Sequence, residues 1–150
     1  MKKATIDDII GWNPCEEYPR ERILELMDGS ESVSVIEMLG WDVPADDKLW
    51  GVLRPFYFSD EELRLMAADF AEAVLPLFEK EHPNDKRPWE AIKSARMFAR
   101  GEITVNDLAA AWDAAWDAAW DAASDAASDA ARAAARDAQL NIVRKYLEAK

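Results

Sequence analysis

The spacing of apolar and polar positions divides the chain into short amphipathic helices followed by one long one. Thr5-Ile6-Asp7-Asp8-Ile9-Ile10 predicts one or two helical turns ending near Gly11, and Trp12-Asn13-Pro14-Cys15 predicts a turn. A second helix begins at Pro19, a residue favoured in a first turn, carries Ile23, Leu24, Leu26 and Met27, and stops at Asp28-Gly29. Ser34 and Glu37 stand at capping-box spacing, which predicts a short helix from about Val35 to Gly40. Val33, Val35 and Ile36 would also suit a strand, but no second strand of similar quality is visible to pair with them. Pro44 opens a further helix, with Asp42 near its cap and Leu49, Trp50 and Leu53 on its buried side.

Beyond the aromatic linker Arg54-Pro55-Phe56-Tyr57-Phe58, Ser59 and Glu62 form the capping box of a strong helix. Its Leu63, Met66, Phe70, Val74 and Leu77 recur at helical spacing and define a core stripe. Pro76 removes one backbone hydrogen bond and predicts a kink in the last turn rather than an immediate end. The stretch from His82 to Arg87 reads as a loop. Pro88 starts a helix that buries Trp89, Ile92, Ala95 and part of Phe98, and Arg100-Gly101 ends it. Thr104 then caps the final helix, with Asp107 in its first turn.

That final stretch, from Thr104 to Lys150, has no Gly and no Pro. From Trp112 it repeats W-D-A-A three times, then S-D-A-A twice, then R-A-A-A. Unbroken from Val105 to Ala149, it would run for roughly 45 residues and about 67 Å. A compact chain of this size has a radius of gyration of only about 15 Å, so such a helix would overhang its own core. Four residues turn a helix by about 400°, so Trp112, Trp116 and Trp120 lie on an oblique ridge suited to steep crossing angles. Asp113, Asp117, Asp121, Asp125 and Asp129 make a parallel ladder of carboxylates. A solvated face is the plain reading of that ladder, and a surface for a basic groove is the sharper one. The expected architecture is all-α: a single helical domain over 1–150, with an N-terminal subregion at 1–56, a second region at 59–150 and a long Ala-rich C-terminal helix.

Charge narrows the partners. The chain carries 30 acidic against 18 basic residues, a formal charge of −12, which disfavours direct binding of nucleic acid or an anionic membrane and suits a basic protein. Half the residues are apolar, enough for a core. One cysteine, Cys15, rules out an intrachain disulfide, and a reducing, cytoplasmic location is the expectation. It reads as a small buried hydrophobe. The leading residues contain no apolar run of the kind a secretory signal needs.

No catalytic constellation is apparent. His82 is the one histidine, and no E-x-x-H pattern accompanies it, so neither a metal nor another cofactor is expected. Asp85 or Asn84 would cap the helix starting near Pro88, and His82 would pack at the end of the helix before it. No Gly-rich phosphate loop or G-x-S-x-G elbow is present, and the expectation is that the chain is not an enzyme.

The stretch from Glu81 to Ile103 carries a distinctive string: His82, Pro83, Asp85, Arg87, Pro88, Ala91 and Ile92, then Ala95, Arg96, Ala99, Arg100, Gly101 and Glu102. Leu75-Pro76-Leu77-Phe78 precedes it and an Ala-rich helix follows. In these features the chain resembles predicted bacterial immunity proteins of polymorphic toxin systems, from about Asp60 to Asp137. The first 56 residues resemble the leading part of small phage and prophage proteins of unassigned function. The resemblance implies a small, non-catalytic protein of a conflict system that binds and blocks another macromolecule, a toxin or a host defence nuclease such as a CRISPR effector. His82, Pro83, Asp85, Arg87 and Pro88 read as loop and cap residues that set the fold.

Together these readings predict a protein inhibitor of a basic, nucleic-acid-acting effector, with Asp113, Asp117, Asp121, Asp125 and Asp129 as its contact surface. Two competing expectations stand beside it. One is a homodimer or larger assembly through the long helix, burying the Ala face around Ala126, Ala130 and Ala134. The other is an enzyme or ligand-binding protein using His82 and Asp85.

Overall fold

The computed structural model describes residues 1–109 and 129–149. Contacts gather the chain into two units, Met1–Phe58 and Ser59–Lys150.

The first unit is built on two strand-to-helix junctions of the same design. Strand β1 (Lys3–Thr5) runs into helix α1 (Ile6–Gly11), and strand β2 (Ser32–Ser34) runs into helix α3 (Val35–Leu39). The last residue of each strand is also the cap of the next helix. Thr5 accepts the Asp8 backbone N–H while Asp8 accepts that of Thr5, and Ser34 and Glu37 reciprocate in the same way. Each box satisfies backbone groups that the first helical turn would otherwise leave unpaired. Hydrogen bonds from Ser34, side chain and then backbone, followed by Lys3, hold the Glu37 carboxyl down at about 2.

β1 and β2 pair antiparallel with Ala4 opposite Val33, both buried. This corrects the expectation that Val33 lacks a partner strand. Lys3-Ala4-Thr5 is too short to show an alternating pattern, so only tertiary pairing reveals it. Helices α2 (Arg20–Leu26) and α4 (Ala45–Val52) complete the unit, begun by Pro19 and Pro44 respectively. Ile9, Ile23, Met38, Leu49, Val52 and Phe58 are among its buried residues. The Tyr57 hydroxyl donates to the Val33 carbonyl at 3.2 Å, which ties the aromatic linker to β2.

Two further sequence expectations fail in this unit. Trp50 is 39% exposed rather than buried, and Val52 takes the inward position. Its ring instead carries the Arg54 guanidinium 3.8 Å from the centroid, so the indole shields a cation from water rather than filling a core. Cys15 is exposed, because its turn holds it off the core.

Every described element of the second unit is a helix. Helix α5 (Asp60–Glu81) is capped by the Ser59–Glu62 box and passes through Pro76 without ending. Helix α6 (Arg87–Ala99) follows after His82. It closes with Gly101 at φ +73, its N–H on the Phe98 carbonyl and that of Glu102 on the Met97 carbonyl. Those are the two hydrogen bonds of a Schellman ending, and a left-handed residue there favours glycine. Thr104 and Asp107 then form the predicted capping interaction at the start of helix α7, whose described turns are residues 105–109. Helix α8 (Asp129–Glu148) packs on α5 and buries Leu140, Val143 and Leu147. The all-α class is therefore what the structure has, with a small two-stranded addition and a C-terminal helix.

The predicted stripe of α5 is corrected in part. Met66 is buried, but Leu77 is 51% exposed, and Ala68 and Leu75 join the core instead. These two are seven residues apart, hence on one face, and they pack with Ile92 of α6. Trp89 is 40% exposed, since Ile92 rather than the first turn of α6 faces that core. Trp112, Trp116 and Trp120 lie outside the described residues, as does the question of one continuous helix from Val105.

Candidate partner-binding surface

The motif string resolves into local structure. His82 is the residue that ends α5, and its ring stacks on Phe78 at 4.8 Å. Asp85 accepts the Arg87 backbone N–H at 3.0 Å and grips the Arg87 guanidinium through both oxygens, the shortest bond being 2.6 Å. Hydrogen bonds from the Arg87 side chain, then from its backbone, hold the Asp85 carboxyl at about 2. Pro88 occupies the first turn of α6, where its missing N–H costs nothing. The N-cap of α6 is Lys86 rather than Asp85 or Asn84, and it makes no side-chain cap bond; Asp85, one residue earlier, takes the Arg87 N–H instead. The geometry joins these residues into a helix–loop–helix clasp, with the carboxylate already committed to a cation.

A second polar cluster escapes sequence reasoning. The Arg96 guanidinium on α6 donates to Asp69 at 2.6 Å and to Glu72 at 2.6 and 3.2 Å, both on α5. Tyr146 of α8 donates its hydroxyl to the other Asp69 oxygen at 2.9 Å. One carboxylate thus links three helices. Glu72, then Asp69, stabilise the charged guanidinium and raise the Arg96 pKa, and Arg96 in turn lowers that of Glu72. Burial, followed by the bond to Asp69, pushes the Tyr146 hydroxyl up to about 12, so it stays a neutral donor. Asp69 and Glu72 stand at i, i+3 on one helix face, which is visible in the sequence, but their partners lie 24 to 77 positions away.

Between α5 and α6 runs an open apolar groove of about 500 Å³. Val74, Leu75 and Phe78 form one wall and Ile92, Ala95 and Phe98 the other. Small residues on α5, Ala67 and Ala71 among them, keep its rim low, and the Arg64 guanidinium lies over Phe98 at 5.1 Å. Such a surface suits apolar side chains. It has no converging acid, base or nucleophile, and among the described residues no group of three or more His, Cys, Asp or Glu is placed to hold a metal ion. No helix among the described residues is long and apolar enough to cross a membrane.

Of the predicted acidic ladder, Asp113, Asp117, Asp121 and Asp125 lie outside the described residues. Asp129 is the first residue of α8.

Comparison with known proteins brings a family match. Residues 58–140 fit the family described as "Imm-5 like putative immunity protein". No curated protein and no solved structure matches the chain.

Proposed function

The chain belongs to that immunity-protein family, and from this premise we propose that it is a non-enzymatic inhibitor which binds and blocks a basic, nucleic-acid-acting effector. Membership implies a protein partner, a toxin, and immunity families are generally non-enzymatic. The observation that carries the reading is positional. Every residue lining the α5–α6 groove falls between Arg64 and Leu108, inside the matched stretch 58–140. The apolar groove of the chain's second unit therefore lies in the stretch that matches the family, and in this reading the toxin occupies it.

Charge supports the basic character of that toxin. Residues 101–131 contain Asp107, Asp113, Asp117, Asp121, Asp125 and Asp129 but no Lys or Arg. A one-signed run raises the encounter rate with an oppositely charged partner and loses that advantage as salt rises. In this reading the acidic run steers the effector, a toxin nuclease or a defence nuclease such as a CRISPR effector, and the groove holds it. The setting would be the bacterial cytoplasm, possession by a phage being one route to it.

The test pairs two variants against a candidate nuclease partner. Ala71→Glu puts a charge at the groove rim on an exposed position and should weaken binding at least about tenfold while the circular dichroism stays unchanged. Replacing Asp117, Asp121 and Asp125 by Asn should slow association about tenfold at low salt and matter little at high salt. Full inhibition by both variants would overturn the reading.

The second reading, homo-oligomerisation through the C-terminal helix, draws on Ala134, which is exposed on α8. Ala126 lies outside the described residues. A monomeric mass by light scattering at micromolar concentration would end it.

A further inference from the structure

The first unit holds a cavity of about 280 Å³ that neither the family match nor the groove explains. Its walls combine two chemistries. Tyr18, Trp41 and Trp50 supply aromatic rings, Asp46 and Asp47 supply carboxylates, and Lys48 supplies one cation. Ile23 and Met38, both buried, line it as well. All of these residues lie before residue 58.

The polar wall is organised. Tyr18 donates its hydroxyl to Asp47 Oδ2 at 2.7 Å, which leaves the other Asp47 oxygen to meet a second donor. Burial, then that hydrogen bond, push the Tyr18 hydroxyl up to about 12, with Glu17 adding its own charge to the surroundings. The carboxylates therefore outnumber Lys48 around the cavity. The whole unit is acidic too, with twelve Asp and Glu against six Lys and Arg over residues 1–58.

Aromatic faces beside carboxylates select a cation with an apolar stem. The rings attract the charge through their quadrupoles, the apolar walls cover the methylenes, and a carboxylate accepts the N–H donors. The unit already shows the cation–ring part of this chemistry once: Arg54, which does not line the cavity, lies over Trp50 at 3.8 Å and Trp12 at 5.6 Å. A neutral or anionic side chain would gain the apolar contact alone, and an anion would meet Asp46 and Asp47.

We infer that this cavity is a second contact site, which receives an arginine or lysine side chain of the protein partner between its aromatic rings and Asp47. The inference rests on the chain having a protein partner, but not on that partner being a nuclease or using the α5–α6 groove. It makes the N-terminal unit a reader of one basic side chain, separate from the family-matched surface.

The experiment uses the full chain and a small probe. N-acetyl-arginine amide is titrated into isotope-labelled protein while the indole N–H signals of Trp41 and Trp50 are followed by NMR, with N-acetyl-citrulline amide as the uncharged isostere. The expected result is saturable movement of those signals with arginine, and at least about threefold weaker response with citrulline. Asp47→Asn keeps an acceptor for Tyr18 and should weaken the arginine response by about three- to tenfold without altering the fold. Lysine amide should bind in the same place. Absence of saturable movement, equal movement with citrulline, or full binding by Asp47→Asn would each overturn the inference. Because no toxin is present, failure here leaves the groove reading standing, and failure of the groove variants leaves this one standing.

Discussion

Replacing Arg96 by Met should be the most informative single change in the second unit. Methionine keeps much of the apolar stem but removes the guanidinium that α5 holds through Asp69 and Glu72. The Arg96 side chain is 25% exposed, so the pair is neither a free surface contact nor a fully buried one. An exposed ion pair contributes about 0–1 kcal/mol, and a hydrogen bond to a charged group about 1.5–3 kcal/mol. An intermediate position gives about 2 kcal/mol. For a chain of this length that is a fall in Tm of roughly 4–8 °C, read by thermal circular dichroism at pH 7. The pH dependence is a second handle. Arg96 lowers the Glu72 pKa below its ordinary 4.5, so the stabilisation is complete above that value and disappears as pH falls through the folded-state value. The gap in Tm between wild type and variant should therefore narrow from pH 6 towards pH 3. Tyr146→Phe removes the second bond to Asp69, and because both act on one carboxylate the double variant should depart from additivity by about 0.5 kcal/mol or more. A Tm within about 1 °C of wild type, or a gap that persists unchanged into acid, would refute the argument.

Three further outcomes follow from the same structure. Met66→Ala empties a fully buried position and should cost about 2–5 kcal/mol by denaturant unfolding, towards the lower end if the site collapses. Gly101→Ala should cost about 1 kcal/mol although nothing lies within 4 Å of the new methyl, because the strain comes from φ +73; Gly101→Asn should cost less. Carboxyl NMR should find Asp85 titrating near 2, and Arg87→Met should move it back towards 3.8, while the acid stability that Asp85 provides is lost only below that ordinary value.

Helix boundaries were legible in the sequence because they are set by neighbours three residues apart. Ser34 with Glu37, Ser59 with Glu62 and Thr104 with Asp107 all form the capping interactions their spacing predicts. Gly101 ends α6 for an equally local reason, and the role of Asp85 at the start of α6 rests on contacts spanning two positions. The class of the fold follows from such signals, since each is a property of a single helix.

What a helix faces is a different kind of fact. Leu77 and Trp50 carry the apolar character of core residues and are exposed, while Ala68 is buried against Ile92, because burial depends on which element arrives from elsewhere in the chain. β1 exists only through β2, some thirty positions away. The Asp69 carboxylate meets Arg96 and Tyr146 only once three helices have packed, and Asp47 shares a cavity with Trp41 and Tyr18 only once the N-terminal unit has folded. The sequence by itself determined where most of the described helices start and stop, the acidic balance and the family string, all of which are short-range or additive. The tertiary structure alone decided which faces are covered and which carboxylates have partners, because those are set by contacts between residues distant in the chain.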